Sequence, residues 1–179
     1  MSTSPLRLVI IIGSVRPGRF GPTVANWFIG QAERHGGLDI DVVDLAAVEV
    51  DDALGERLAV ADAFVVVTPE YNHSFPGPLK GAIDHFKQEW RAKPVAFVSY
   101  GGVSGGLRAV EQLRLVFAEL HAMSIRNSVS FTMARRKFDE NGQPLEEADV
   151  NSAAKDMLDQ LGWWAHALRD ARAARPYGA

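Results

Sequence analysis

The sequence predicts an α/β fold: a three-layer sandwich in which helices cover both faces of a five-stranded parallel sheet of order 2-1-3-4-5. Three observations predict it. Apolar runs alternate with segments of helical period along the whole chain, the pattern of strands and helices wound around a parallel sheet. Three of the runs are almost continuously apolar, as strands buried on both faces are. Two others are half polar, which suits the rims of a sheet, and placing those two outside gives the order.

Taken along the chain, Leu6 to Ile12 is the first strand, and Val24, Trp27, Phe28 and Ala32 form the buried face of the helix after it. The second strand, Asp39 to Leu45, mixes aspartates with Ile40, Val42 and Val43 and belongs at an edge. A short helix lies within Leu54 to Ala61, before a third strand at Ala63 to Thr68. Leu79, Ile83, Phe86 and Trp90 make the next helical stripe. The fourth strand is Val95 to Tyr100, followed by a stripe of Leu107, Val110, Leu113, Phe117 and Leu120. The fifth, Ser124 to Met133, alternates, with Ile125, Val129, Phe131 and Met133 on one side. Arg135 to Asp149 reads as a polar connection with a turn at Asn141-Gly142. Met157, Leu161, Trp164 and Leu168 mark the last helix. Right-handed crossovers then place helices on both faces. With no repeat, linker or low-complexity tract, residues 1–179 read as one domain.

Composition narrows the function. Hydrophobic residues at 47% and charged residues at 23% of 179 describe a packed core rather than disorder. A net charge of -3 supplies no basic field for nucleic acid and no polybasic membrane anchor. The chain has no cysteine, which excludes disulfides, thiolate metal sites and cysteine nucleophiles. Redox chemistry would need a bound cofactor. The apolar run Leu8 to Ile12 is too short for a signal-peptide core, and no apolar stretch approaches ~20 residues. The expected location is the cytoplasm, with no nucleic-acid, membrane or metal partner.

In an open α/β sheet, ligands bind beyond the carboxyl ends of the strands where the order reverses. The loops after the first, third and fourth strands occupy that place. The first, Gly13 to Thr23, leaves a buried strand and enters a helix. Its glycines allow amides to turn inward, Pro22 suits a first helical turn, and the helix start favours an anion. Ser14 and Thr23 add hydroxyls, and Arg16 and Arg19 can pair with a dianion. It is neither a Walker loop nor a dinucleotide fingerprint. The second loop, Thr68 to Pro78, offers a flat wall and amide groups through Glu70, Tyr71 and Asn72, with His73 beside them. The third, Ser99 to Gly106, carries four glycines that allow close approach to a planar ligand. Together they suit a mononucleotide with a flat ring system.

The residues that carry these loops resemble a known family. Gly13 to Phe20 reads GSVRPGRF and Thr68 to Asp84 reads TPEYNHSFPGPLKGAID. Phe138 to Leu168, with its Asn141-Gly142 turn and Trp163-Trp164, is similar as well. The chain resembles the NADPH-dependent FMN reductases, flavodoxin-like proteins that include quinone, azo-dye and chromate reductases. The resemblance implies FMN as cofactor, its phosphate held by Ser14, Arg16, Arg19 and the segment Gly21, Pro22 and Thr23. It implies an isoalloxazine ring against Pro69, Glu70, Tyr71, Asn72 and His73, with Tyr100, Gly101 and Gly102 along its pyrimidine side. Arg19 stands where many relatives have a small hydroxyl residue, and His73 where some have tyrosine. Homodimers or homotetramers are typical of the family.

The implied reaction passes hydride from NADPH or NADH to FMN and then to a quinone-like, azo, flavin or metal-oxyanion acceptor. The flavin N5 carries the chemistry, so no catalytic side chain is expected, in keeping with the lack of a triad or carboxylate pair. No motif places the nicotinamide; Asp84 and Arg108 are neighbours only. Two other readings compete: a flavodoxin-type electron carrier, for which -3 is mildly acidic, and a module that binds a phosphorylated ligand without redox chemistry.

Overall fold

The computed structural model describes residues 4–178. Its sheet contains β1 (Leu6–Ile12), β2 (Leu38–Asp44), β3 (Ala63–Pro69), β4 (Pro94–Tyr100) and β5 (Met123–Phe131). All neighbours pair in parallel, in the order β2-β1-β3-β4-β5. The half-polar strands are the rims, as their composition predicts.

The apolar character of the central strands follows from two cores. In β1, Leu8, Ile10 and Ile12 enter one core and Val9 and Ile11 the other. Val65 and Val67 of β3 join the first, Phe64 and Val66 the second. Successive side chains point to opposite faces, so a strand covered on both sides has no polar position to spare. Helices α1 (Gly21–His35) and α5 (Glu147–Ala174) close the first core. Helices α2 (Asp52–Ala59), α3 (Gly77–His85) and α4 (Leu107–Glu119) close the second. Among the described residues no helix is long and apolar enough to cross a membrane.

Three elements depart from the sequence pattern. The stripe Leu79, Ile83, Phe86, Trp90 is buried throughout, but α3 stops at His85 and Trp90 lies in a separate 3-10 turn, Gln88–Trp90. The Trp90 indole N–H donates to the carbonyls of Ile83 (3.1 Å) and Phe86 (3.0 Å), satisfying groups that the helix end leaves open. In α4, Leu107 is exposed at the first position, while Val110, Leu113 and Phe117 are buried. The fifth strand ends at Phe131. Met133 has left the core face with φ 51, its amide bound to the Gly102 carbonyl (2.8 Å) and that of Ala134 to Gly101 (3.1 Å). Smaller shifts have a local cause: α2 begins early because the Asp51 carboxylate caps the Leu54 amide at 3.0 Å.

Candidate functional site

At the carboxyl edge of the sheet, the three loops singled out by composition surround a cavity of about 530 Å³. The first loop contributes Arg16 to Phe20, the second Pro69, Glu70 and Tyr71, and the third Tyr100, Gly101 and Gly102. A fourth wall, Met133 to Arg136, comes from the segment after β5.

The start of α1 adjoins this cavity through Phe20. Phe20 occupies its N-cap and offers no side-chain hydrogen bond, so the first amides lack a cap. Behind them lie two buried hydroxyl groups, of Ser14 and Tyr100, both without a hydrogen-bond partner among the described residues. They fit only because residue 21 is glycine: a Cβ there would collide with Ser14 Oγ and come within 2.8 Å of the Tyr100 hydroxyl. Burial pushes the Tyr100 phenol up to about 12, which keeps it a neutral donor. Tyr100 lines the cavity together with Gly101 and Gly102. The structure turns its side chain toward α1, because β4 alternation sends Tyr100 into the α1–α5 core and its ring meets Phe20 edge-on at 6.3 Å. Pro22 and Thr23 are half-buried in the first turn, Ser14 and Gly21 are buried, and none of the four is among the residues lining the cavity.

The two arginines of the first loop differ in role. Arg19 is committed to Asp44 through two 2.6 Å hydrogen bonds and to the Ser14 carbonyl at 2.9 Å. Its hydrogen bonds to Asp44 hold the guanidinium above its ordinary pKa. The residue thereby fastens the loop to the end of β2, and it also lines the cavity. Arg16 stays exposed and lies over the Tyr71 ring, 3.7 Å from its centroid, joining the first loop to the second.

In the second loop, Tyr71 and Ser74 exchange backbone hydrogen bonds of 2.9 and 3.0 Å around Asn72 (φ 51) and His73 (φ 66). Two residues in the left-handed region make a tight reverse turn, which asparagine and histidine tolerate better than most. Both are exposed at the tip, and neither lines the cavity. Glu70 lines it but is already engaged. Its carboxylate accepts from Ser104 Oγ (2.5 Å), the Arg108 amide (3.2 Å) and the Arg108 guanidinium (2.8 Å). Burial alone would raise this carboxyl; the hydrogen bonds from Ser104 and Arg108 outweigh it and hold Glu70 below the usual range.

That contact also plugs the start of α4 with a negative charge, leaving the start of α1 as the free one beside the cavity. The third loop can approach so closely because Gly106 takes φ 89, where a Cβ would press to 2.7 Å on Ser99. Of the two proposed neighbours of the nicotinamide, Arg108 is held by Glu70, and Asp84 is paired with Lys80 at 2.5 Å away from the cavity lining.

Sequence reading missed Phe20 and the whole wall after β5. Arg135 spans the cavity edge, donating to the Gly18 carbonyl at 2.9 Å and lying 5.3 Å over the Phe20 ring. The signal was present: Arg135 and Arg136 follow a strand end, the same criterion that selected the other loops.

Comparison with known proteins adds a family. The model of the NADPH-dependent FMN reductase family matches residues 6–136. An NAD(P)H-dependent FMN reductase of Schizosaccharomyces pombe is 34% identical, over 73% of this chain and 75% of its own. An NADPH:quinone oxidoreductase of Oryza sativa subsp. japonica is 34% identical, over 94% of this chain and 93% of its own. Among solved structures, the flavoenzyme NAD(P)H:(acceptor) oxidoreductase FerB of Paracoccus denitrificans superposes with a TM-score of 0.72 at 19% identity, covering 90% of this chain and 98% of that one. The strand order is that of flavodoxin, and the chain belongs to the NADPH-dependent FMN reductase family.

Proposed function

We propose that residues 1–179 act as one FMN-binding domain that transfers reducing equivalents from NAD(P)H to a small acceptor of the quinone, azo, flavin or metal-oxyanion type. The observation that carries this reading is the uncapped start of α1, with two buried hydroxyls behind it that have no hydrogen-bond partner among the described residues, next to a cavity lined by Phe20, Pro69, Tyr71, Gly101 and Gly102. Unpartnered buried hydroxyls are destabilising, and a phosphate at this helix end supplies the acceptors that Ser14 and Tyr100 lack. The residues therefore fit FMN.

In this reading the amides of Gly21 and Thr23, the Ser14 and Tyr100 hydroxyls and the Arg16 guanidinium hold the phosphate. Arg19 acts from behind by fixing the loop to Asp44. Pro69 and Tyr71 form the wall against the ring system, and Gly101 and Gly102 let the backbone approach its edge. Phe20 and Met133 keep water from the cavity. Bound FMN supplies a centre that accepts and donates hydride. The chain contributes orientation, a fixed set of donors and exclusion of solvent. Assembly as a homodimer or homotetramer and a cytoplasmic location belong to the same proposal.

The test is NADPH oxidation by the FMN-loaded protein with menadione as acceptor. Turnover well above that of free FMN is the expected result, and turnover equal to it defeats the proposal. A one-electron carrier would instead reduce sluggishly with NADPH and depend on a partner protein. Light scattering after size exclusion checks the assembly.

A further inference from the structure

We propose that Arg136, in the turn after β5, receives a phosphate of the nicotinamide dinucleotide. The proposal rests on the reading of the cavity as a flavin site and follows from its charge. Four arginines are among its lining residues, Arg16, Arg19, Arg135 and Arg136, against one acidic residue, Glu70. Asp44 neutralises Arg19, and Arg108 neutralises Glu70. Among the described residues, Arg16, Arg135 and Arg136 have no acidic partner. A phosphate monoester carries about −1.5 to −2 at neutral pH, so the cofactor balances fewer than these three charges. The cavity is built for more anion than the flavin brings.

Position selects which arginine is the surplus. Arg16 stacks on Tyr71 beside the first loop, and Arg135 is bound to the Gly18 carbonyl of that loop. Both flank the phosphate seat at α1. Arg136 is exposed, and its guanidinium has no hydrogen bond or ion pair among the described residues. Its backbone is nevertheless well held. The Arg136 amide donates to Met133 (2.8 Å), and the turn is tied to the third loop through Met133 and Gly102 (2.8 Å) and through Ala134 and Gly101 (3.1 Å). A fixed turn thus presents a free cation at the cavity wall, next to the glycine rim where a second planar ligand would enter. A nicotinamide dinucleotide has that chemistry: a planar ring to enter the cavity and phosphates to lie outside it.

The experiment uses the FMN-loaded full chain and calorimetric titration with NADP⁺ and with NAD⁺, for the wild type, Arg136→Gln and Arg136→Glu. Loss of one charge-assisted contact should weaken binding about tenfold in Arg136→Gln, with a larger loss in Arg136→Glu. The salt dependence of binding should become shallower in both variants. A loss confined to NADP⁺ identifies the 2′-phosphate as the group read. An equal loss with NAD⁺ identifies the pyrophosphate that both share. Unchanged affinity for both dinucleotides overturns the proposal. Flavin absorbance of each sample separates the two levels. A wild type that takes up no FMN defeats the flavin reading itself, whereas variants with full flavin content and unaltered dinucleotide binding defeat only the role of Arg136.

Discussion

Single side chains at the start of α1 make opposite demands on stability and binding. Tyr100 keeps a hydroxyl in the core with no partner, so its removal should not harm the folded chain. Tyr100→Phe is expected to leave the stability of the flavin-free protein unchanged or raise it by up to ~1 kcal/mol, while FMN dissociation rises about tenfold. Urea titration and fluorescence titration with FMN check the two halves. Arg16→Ala is expected to weaken FMN binding by about 10- to 100-fold, with little change in the urea midpoint, since the residue is exposed on a loop. Unchanged affinity would take Arg16 out of the phosphate seat. The place of Ser14 and Arg16 in the loop after β1 was legible from loop composition and strand order. The partners of Arg19 and Glu70 were not, because Asp44 and Arg108 lie far along the chain and only the folded sheet brings them near. The tip position of Asn72 and His73 was equally hidden, since a left-handed pair looks in sequence like any polar loop.

At the scale of elements, periodicity recovered every strand and helix but not where each one stops. Phe86 and Trp90 continue the stripe of α3 after its helical backbone has ended, because Trp90 returns to seal the open carbonyls. Burial, which the pattern reports, and helical hydrogen bonding, which it does not, part company there. Helix α2 has a comparable seal. Lys93, 5% exposed, donates to the carbonyls of Leu58 (2.9 Å) and Ala59 (2.7 Å). Burial, with Arg172 nearby, pulls its ammonium down to about 8. Its folded pKa thus lies below the unfolded value of about 10.4. Between these values the unfolded chain holds more protons, so stability rises with pH, by ~3 kcal/mol at most. Urea midpoints from pH 7.5 to 10 should therefore climb in the wild type, and Lys93→Met should flatten that climb. Equal slopes in the two proteins would show that the buried ammonium does not titrate in this range.

For the molecule as a whole, strand order and the edge that bears the site could be read directly, because apolar runs report how many faces of a strand are covered and the sheet order then fixes where loops converge. The rim strand β2 carries a feature with reach beyond its own place. Its aspartates are laced inward, Asp39 to Arg7 (4.0 Å), Asp41 to Arg57 (2.6 Å) and Asp44 to Arg19 (2.6 Å). Hydrogen bonds from Arg57 hold Asp41 below its ordinary pKa, and Asp44, despite its burial, is held there by Arg19 and the Ala46 amide. Carboxyls lowered in this way add stability above pH ~4 and lose it as the pH falls further. Only the last lace ends on the loop that begins α1, so fraying at the rim is felt at the cofactor. Asp44→Asn, at a residue outside the cavity lining, should speed FMN release several-fold. Linkage requires the converse: occupancy by FMN should slow deuterium uptake along β2, a strand that contributes no residue to the cavity lining.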